Sequence, residues 1–167
     1  MAMQWMFFVA AVVAIAATVR VITAIHPVHA LLYLIVSLLA VALIFFTLGA
    51  PFAAALEVII YAGAIMVLFV FVMMLLNLGP QTVEQEQRWL MPRTWIGPLG
   101  LTVVLFAELL YALASPGPAA TGPVVDPRQI GIELFGRYAI AVELASMLLL
   151  AGLIGAYHLG RRQLKTS

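Results

Sequence analysis

The stretch Leu56–Leu76, LEVIIYAGAIMVLFVFVMMLL, runs 21 residues with a single ionisable side chain, Glu57. As an α-helix rising about 1.5 Å per residue it covers roughly 31 Å, the thickness of a bilayer's hydrocarbon core. The stretch therefore reads as a membrane span. The rest of the chain agrees with it. Charged residues make up 9% and hydrophobic ones 65%, and the mean hydropathy is +1.15, whereas a soluble domain carries about a quarter charged residues.

Hydropathy places five spans, at 3–19, 30–48, 52–76, 95–114 and 138–157. The segments between them are too short to hold a soluble domain, so the fold class expected is all-α, a single polytopic membrane domain over residues 1–167. Helices are required because lipid offers no partners for open backbone groups. The sequence has no cysteine, so it supplies no thiolate for an iron–sulfur cluster and forms no disulfide.

The apolar, alanine-rich N-terminus resembles a signal peptide in composition only. Its first basic residue, Arg20, follows the apolar run instead of preceding it, so the segment is read as a retained first helix. Five spans put the two termini on opposite sides. One side collects Arg20, Arg88, Arg93, Arg161, Arg162 and Lys165, and the other holds Arg128 and Arg137. The positive-inside rule then predicts a cytoplasmic C-terminus and an outer N-terminus. Trp5 at the outer end, with Trp89 and Trp95 at the inner end, fits an aromatic belt. The terminal RRQLK is read as an orientation signal, not as a nucleic-acid or lipid site.

The connections carry less. His26 and His29 flank Pro27 and are read as interfacial groups, since no further ligand-type residues lie near enough in sequence for a metal. Gly49-Ala50-Pro51 alone links spans two and three, which makes them antiparallel neighbours. The inner loop 77–94 mixes acidic, basic and amide side chains and is expected to form a short helix on the membrane surface. The outer loop 115–137, with Pro116, Gly117, Pro118, Gly122, Pro123 and Pro127, is expected to be irregular. No internal repeat of the kind found in many transporters is present.

Chemistry concentrates in three carboxylates inside spans, Glu57, Glu108 and Glu143. An ionised carboxylate deep in lipid costs about 2.5–3.5 kcal/mol, so each must face protein, meet a donor, or hold its proton. Such groups relay protons or fix helix packing. Tyr61 stands four residues after Glu57, on the same face of an α-helix. Ala62-Gly63-Ala64 comes next, and small residues in a span point first to close helix packing. The alternative is a departure from α geometry, which glycine tolerates. One inserted residue turns everything beyond it by about 100°, which would swing Val67, Leu68 and Phe69 toward or away from a neighbour. Met66, Met73 and Met74 are read as packing groups, and Ala151 with Gly155 as a packing face of span five.

Three segments carry a resemblance. The run HPVHALLYLIVSLLAVALIFFTLGAPFAAALEVIIYAGAIMVLFVFVMMLLN from His26 to Asn77, the stretch EQRWLMPRTWIGP ending at Pro98, and LFGRYAIAVELASMLLLAGLIGAYH from Leu134 to His158 are similar to the subunit J family of bacterial proton-pumping NADH:quinone oxidoreductases. Its mitochondrial counterpart is NADH dehydrogenase subunit 6. The resemblance implies a subunit of the membrane arm of respiratory complex I, beside the small subunit K and near the quinone-site subunits, in the bacterial plasma membrane. It implies a π-bulge in span three around Tyr61 and Gly63, and with the spacing of Glu57 this makes Glu57, Tyr61, Ala62, Gly63 and Val67 the expected conformational switch; Glu108 and Glu143, from their place inside spans, are expected as further proton-relay or buried polar groups. It also implies that FMN, iron–sulfur clusters and quinone are held by partner subunits and that this chain has no catalytic residue or metal of its own. Two rival expectations remain: an independent ion transporter using the three glutamates, and a purely structural spacer of the same assembly.

Overall fold

The computed structural model describes residues 2–25, 27–76, 92–114 and 123–160, all helical apart from short connections. Helix α1 is Ala2–Thr23 and α2 is Pro27–Thr47. The third span is composite: α3 covers Pro51–Leu56, a π-helical stretch covers Glu57–Ile65, and α4 covers Met66–Leu76. Helix α5 is Pro92–Ala114, α6 is Pro127–Phe135 and α7 is Ala139–Gly160. Among the described residues, five helical segments are long and apolar enough to cross a membrane, namely Gln4–Thr23, Pro27–Thr47, Pro51–Leu75, Trp95–Ala114 and Ala139–Gly160. Each overlaps one of the five expected spans.

The chain divides into two compact units, Met1–Val125 and Asp126–Ser167. In the first, α1 and α2 pack along most of their length, and α5 lies against both. Lipid tails are as apolar as leucine, so this association gains from close contact and hydrogen bonds more than from hiding apolar surface. The contact stripes meet that demand. Helix α1 turns Met6, Ala10, Val13 and Ala17 inward, α2 turns Val36, Ala40 and Leu43, and α5 supplies Leu101 and Leu105. The spacing of three or four residues is that of one helix face. Alanine on both helices lets their backbones approach. At that close approach the Thr18 and Ser37 hydroxyls meet at 2.8 Å, Thr18 also donates to the Ala14 carbonyl at 2.8 Å, and Ser37 reaches the same carbonyl at 3.3 Å.

Helix α2 ends in a Schellman turn. The Ala50 amide donates to the Phe45 carbonyl at 3.0 Å and the Gly49 amide to Phe46 at 3.1 Å. Gly49 has φ 87°, a conformation that side-chain-bearing residues rarely adopt, and Pro51 then opens α3 with the fixed φ suited to a first helical position. The three-residue link expected between spans two and three is thus a hairpin whose sequence matches its geometry.

One expectation needs correction. The outer loop is not irregular throughout: α6 occupies Pro127–Phe135. Pro127 is the first residue of a helix, not its breaker, and the Asp126 side chain caps that helix by accepting from the Arg128 amide at 3.3 Å. In the second unit α6 packs on α7, with Gly136 at the junction. His26, the surface helix expected within 77–94 up to residue 91, Trp89, Pro116 to Gly122 and the RRQLK tail lie outside the described residues.

Candidate functional site

The residues singled out in span three all fall in or beside its irregular part. Nine residues, Glu57–Ile65, take π geometry, in which each amide reaches the carbonyl five residues back instead of four. The boundaries mark the change of register. The Glu57 amide donates to Ala53 and Ala54, four and three residues back, as at an ordinary α-helical end. The Met66 amide donates instead to Tyr61, five back, and to Gly63. Tyr61, Ala62 and Gly63 are therefore inside the π stretch, and Val67 is the second residue beyond it.

Gly63 has a specific reason to be glycine. A Cβ at this position would stand 3.1 Å from the Val58 carbonyl oxygen, the π-type partner five residues back, tighter than ordinary van der Waals contact. Alanine there would require the backbone to yield. No residue of the π stretch is buried: Glu57, Ala62 and Gly63 are half-buried, and Tyr61 is 50% exposed. Close packing within this chain, the first reading of Ala62-Gly63-Ala64, thus gives way to backbone irregularity.

Burial changes abruptly where the π stretch ends. Met66 is 2% exposed and among the most deeply buried side chains of the first unit, whereas Val67, Leu68, Phe69 and Val70 are all exposed. The packing role expected of the methionines holds for Met66; Met73 is half-buried and Met74 exposed.

A cleft of about 360 Å³ opens between α2, α3 and α5 and reaches the π stretch at Val58. Its walls are apolar, with Leu43, Ala54, Leu105 and Leu109 among them. Beside it lies Glu108. The spacing Leu101, Leu105, Glu108, Ala112 puts this carboxyl in the stripe that α5 turns toward its neighbours, and its Oε2 is covered and without a hydrogen-bond partner among the described residues. The sequence shows the acidic member of this three- and four-residue spacing, and the packing of α5 decides that its face is the covered one.

Glu143 belongs to the second unit. It lies in the first turns of α7, its side chain is exposed, and its backbone carbonyl accepts from the Ser146 hydroxyl at 2.7 Å. Ala151 and Gly155 are exposed as well, and a Cβ at Gly155 would meet nothing within 4 Å. Among the described residues, no three histidine, aspartate or glutamate side chains come together as a metal site would require.

Sequence reasoning missed one contact. The Tyr33 hydroxyl occupies the space where a Gly97 side chain would begin, and its Cζ stands 3.1 Å from that position. Tyr33 lies in the PVHALLYL stretch and Gly97 in RTWIGP, so two of the segments that carry the resemblance meet in space.

The family model for NADH-ubiquinone/plastoquinone oxidoreductase chain 6 matches residues 17–159. The chain belongs to this family. NADH-quinone oxidoreductase subunit J of Pseudomonas aeruginosa is 61% identical over 165 residues, covering 98% of this chain and 99% of the relative. The protein of the same name from Escherichia coli K12 is 54% identical over 162 residues, covering 96% and 88%. That of Buchnera aphidicola from Schizaphis graminum is 45% identical over 162 residues, covering 96% and 99%. The match takes in the π stretch, the Tyr33–Gly97 contact and α7, so this chain-6 family member resembles its relatives across both units.

Proposed function

We propose that this chain is a non-catalytic membrane-arm subunit of a proton-translocating NADH:quinone oxidoreductase, and that its third span couples quinone reduction to proton transfer by exchanging π and α geometry. Family membership supports the first part, because the chain covers nearly the whole length of relatives named as subunit J of that enzyme. The observation that carries the second part is the nine-residue π stretch centred on Tyr61. A π segment holds about one residue more than α geometry allows, and closing it turns one flank against the other by about 100°.

Gly63 lowers the barrier to that change by leaving the Val58 carbonyl unobstructed. The turn carries Val67, Leu68 and Phe69 around the helix axis, and apolar side chains moved in this way open or close a water path beside them. Tyr61 and Glu57 supply the polar groups next to the path, while Glu108 and Glu143 act as further carboxyls that hold or pass a proton. The chain forms a single bilayer domain with the N-terminus outside and the C-terminus in the cytoplasm of a bacterium. FMN, iron–sulfur clusters and quinone belong to partner subunits, with the small subunit K and the quinone-site subunits beside this chain.

The test uses Tyr61→Phe and Gly63→Leu in the whole complex, with assembly, NADH:quinone turnover and protons moved per NADH measured together. A lower proton yield in normally assembled complex is the expected result. Loss of assembly and coupling always together would support a structural spacer instead. Proton or ion flux through the purified chain alone in liposomes would support an independent transporter.

A further inference from the structure

The connection after the fourth span does more than return the chain to the fifth. Its described end, Pro123–Val125, lies beside the α2–α3 turn, and the Val125 amide donates to the Gly49 carbonyl at 2.8 Å. Gly49 is buried, has φ 87° and is the residue on which the whole Schellman turn depends. Its carbonyl points away from the helix it terminates, and in lipid or at its edge an unpaired carbonyl is costly. The connection supplies the missing donor.

From this contact to Glu57, where the π stretch begins, there is only α3, a helix of six residues. That short helix packs on α2 with Ala54 buried, and its first turn closes where the Ala54 amide donates to the Ala50 carbonyl at 3.0 Å, while Ala55 and Leu56 are exposed. Beyond the π stretch α4 also packs on α2 and buries Met66, but the side chains that follow, Val67 to Val72, are exposed. A change of register in the middle of a rod turns whichever flank is less restrained. The contact at Gly49 restrains one flank.

We propose that Pro123–Val125 is a latch on the α2–α3 turn, its Val125 amide clamping the Gly49 carbonyl so that the α3 flank of the third span stays fixed while the π stretch changes register. The proposal rests on the π–α exchange of the third span. It adds the element that gives the exchange a direction: without the latch the turn is shared between both flanks, and less of it reaches Val67.

Two changes in the assembled complex test the latch. Val125→Pro removes the amide donor and keeps an apolar side chain. The pair Ala50→Cys and Val124→Cys, joined by a short bis-maleimide, holds the latch permanently closed, and the chain has no cysteine of its own to compete. Protons moved per NADH are measured in membrane vesicles, with Gly63→Leu as the reference for the exchange itself. The expected result is that Val125→Pro lowers the proton yield by at least about twofold, on the scale of one lost hydrogen bond, in normally assembled complex, while the joined pair keeps the parental yield. If Val125→Pro does not assemble, the joined pair in the otherwise parental complex decides, its parental yield supporting a latch that stays closed. A parental yield in Val125→Pro, or a fall in yield on joining the pair, overturns the proposal, since either means that the latch is idle or must open during turnover. If Gly63→Leu pumps normally, the exchange itself is absent and the latch falls with it; if Gly63→Leu is defective and the latch variants behave otherwise than stated, only the latch is lost.

Discussion

The α1–α2 pair and the third span are apolar helices of similar length in the same unit, yet they are built in opposite ways. The pair is regular and buried along one face: Ala10, Ala17 and Ala40 are fully covered, and hydroxyls from both helices share the Ala14 carbonyl. The third span breaks its own register for nine residues, buries none of them, and hands its exposed apolar side chains outward. Where lipid supplies no drive for helices to associate, permanence comes from small residues set in contact and from interhelical hydrogen bonds, and the small residues Ala62, Gly63 and Ala64 of the π stretch are not buried in such a contact. On the proposed reading, one half of this unit is a frame and the other a moving part.

Four substitutions put that contrast at risk. Ala40→Leu should do the most damage, because it forces a long side chain into the closest contact between α1 and α2. Overpacking of this kind costs about 1–3 kcal/mol, and the outcome expected is little assembled complex on a native gel. Next comes Gly97→Ala, whose new Cβ overlaps the Tyr33 hydroxyl. A loss of about 1–2 kcal/mol is expected in the thermal unfolding of the complex, and adding Tyr33→Phe should recover part of it by removing the obstructing atom. An additive double variant would mean that the two residues do not touch.

Gly63→Leu is expected to act on the moving part alone. Leucine presses on the Val58 carbonyl in the π form and is the better α-helix former by about 0.8 kcal/mol, so the α form gains in population. Proton yield per NADH falls while the amount of assembled complex stays near normal. If assembly falls as steeply as it does for Ala40→Leu, the third span is frame after all. Thr18→Val should matter least, since it removes one hydroxyl of the shared pair but leaves Ser37 its bond to Ala14. Hydrogen bonds between membrane helices average about 0.6 kcal/mol, and a shift of that size in unfolding, with unaltered pumping, is the result to look for.

Hydropathy locates the α1–α2 pair and the third span without telling them apart. The run from Leu56 to Leu76 is as apolar as the α2 run, and nothing in its composition marks the stretch in which the backbone changes register. Glycine at 63 is compatible with close packing and with a π segment, and the resemblance favours the second. The outer loop misleads in the other direction. Pro127 reads as a breaker because a proline inside a loop rich in glycine and proline is ambiguous until the residue before it, Asp126, is seen to cap a helix. Glu108 is visible as an intramembrane carboxylate, but its place in the covered stripe of α5 depends on which face meets α1 and α2.

Local chemistry in the sequence is enough to dictate the five spans, their helical state and the hairpin at Gly49-Ala50-Pro51. Transfer of side chains into lipid, backbone groups that must be paired within the segment, and the φ values that glycine and proline permit are all properties of neighbouring residues. Three features needed the folded chain: the Val125 amide meeting the Gly49 carbonyl, Tyr33 filling the space beside Gly97, and the nine-residue extent of the π stretch, Glu57–Ile65. They join residues far apart in the chain, or choose between backbone forms that differ by little in energy. In an almost wholly apolar sequence such differences are set by how neighbouring helices fit, which hydropathy does not encode.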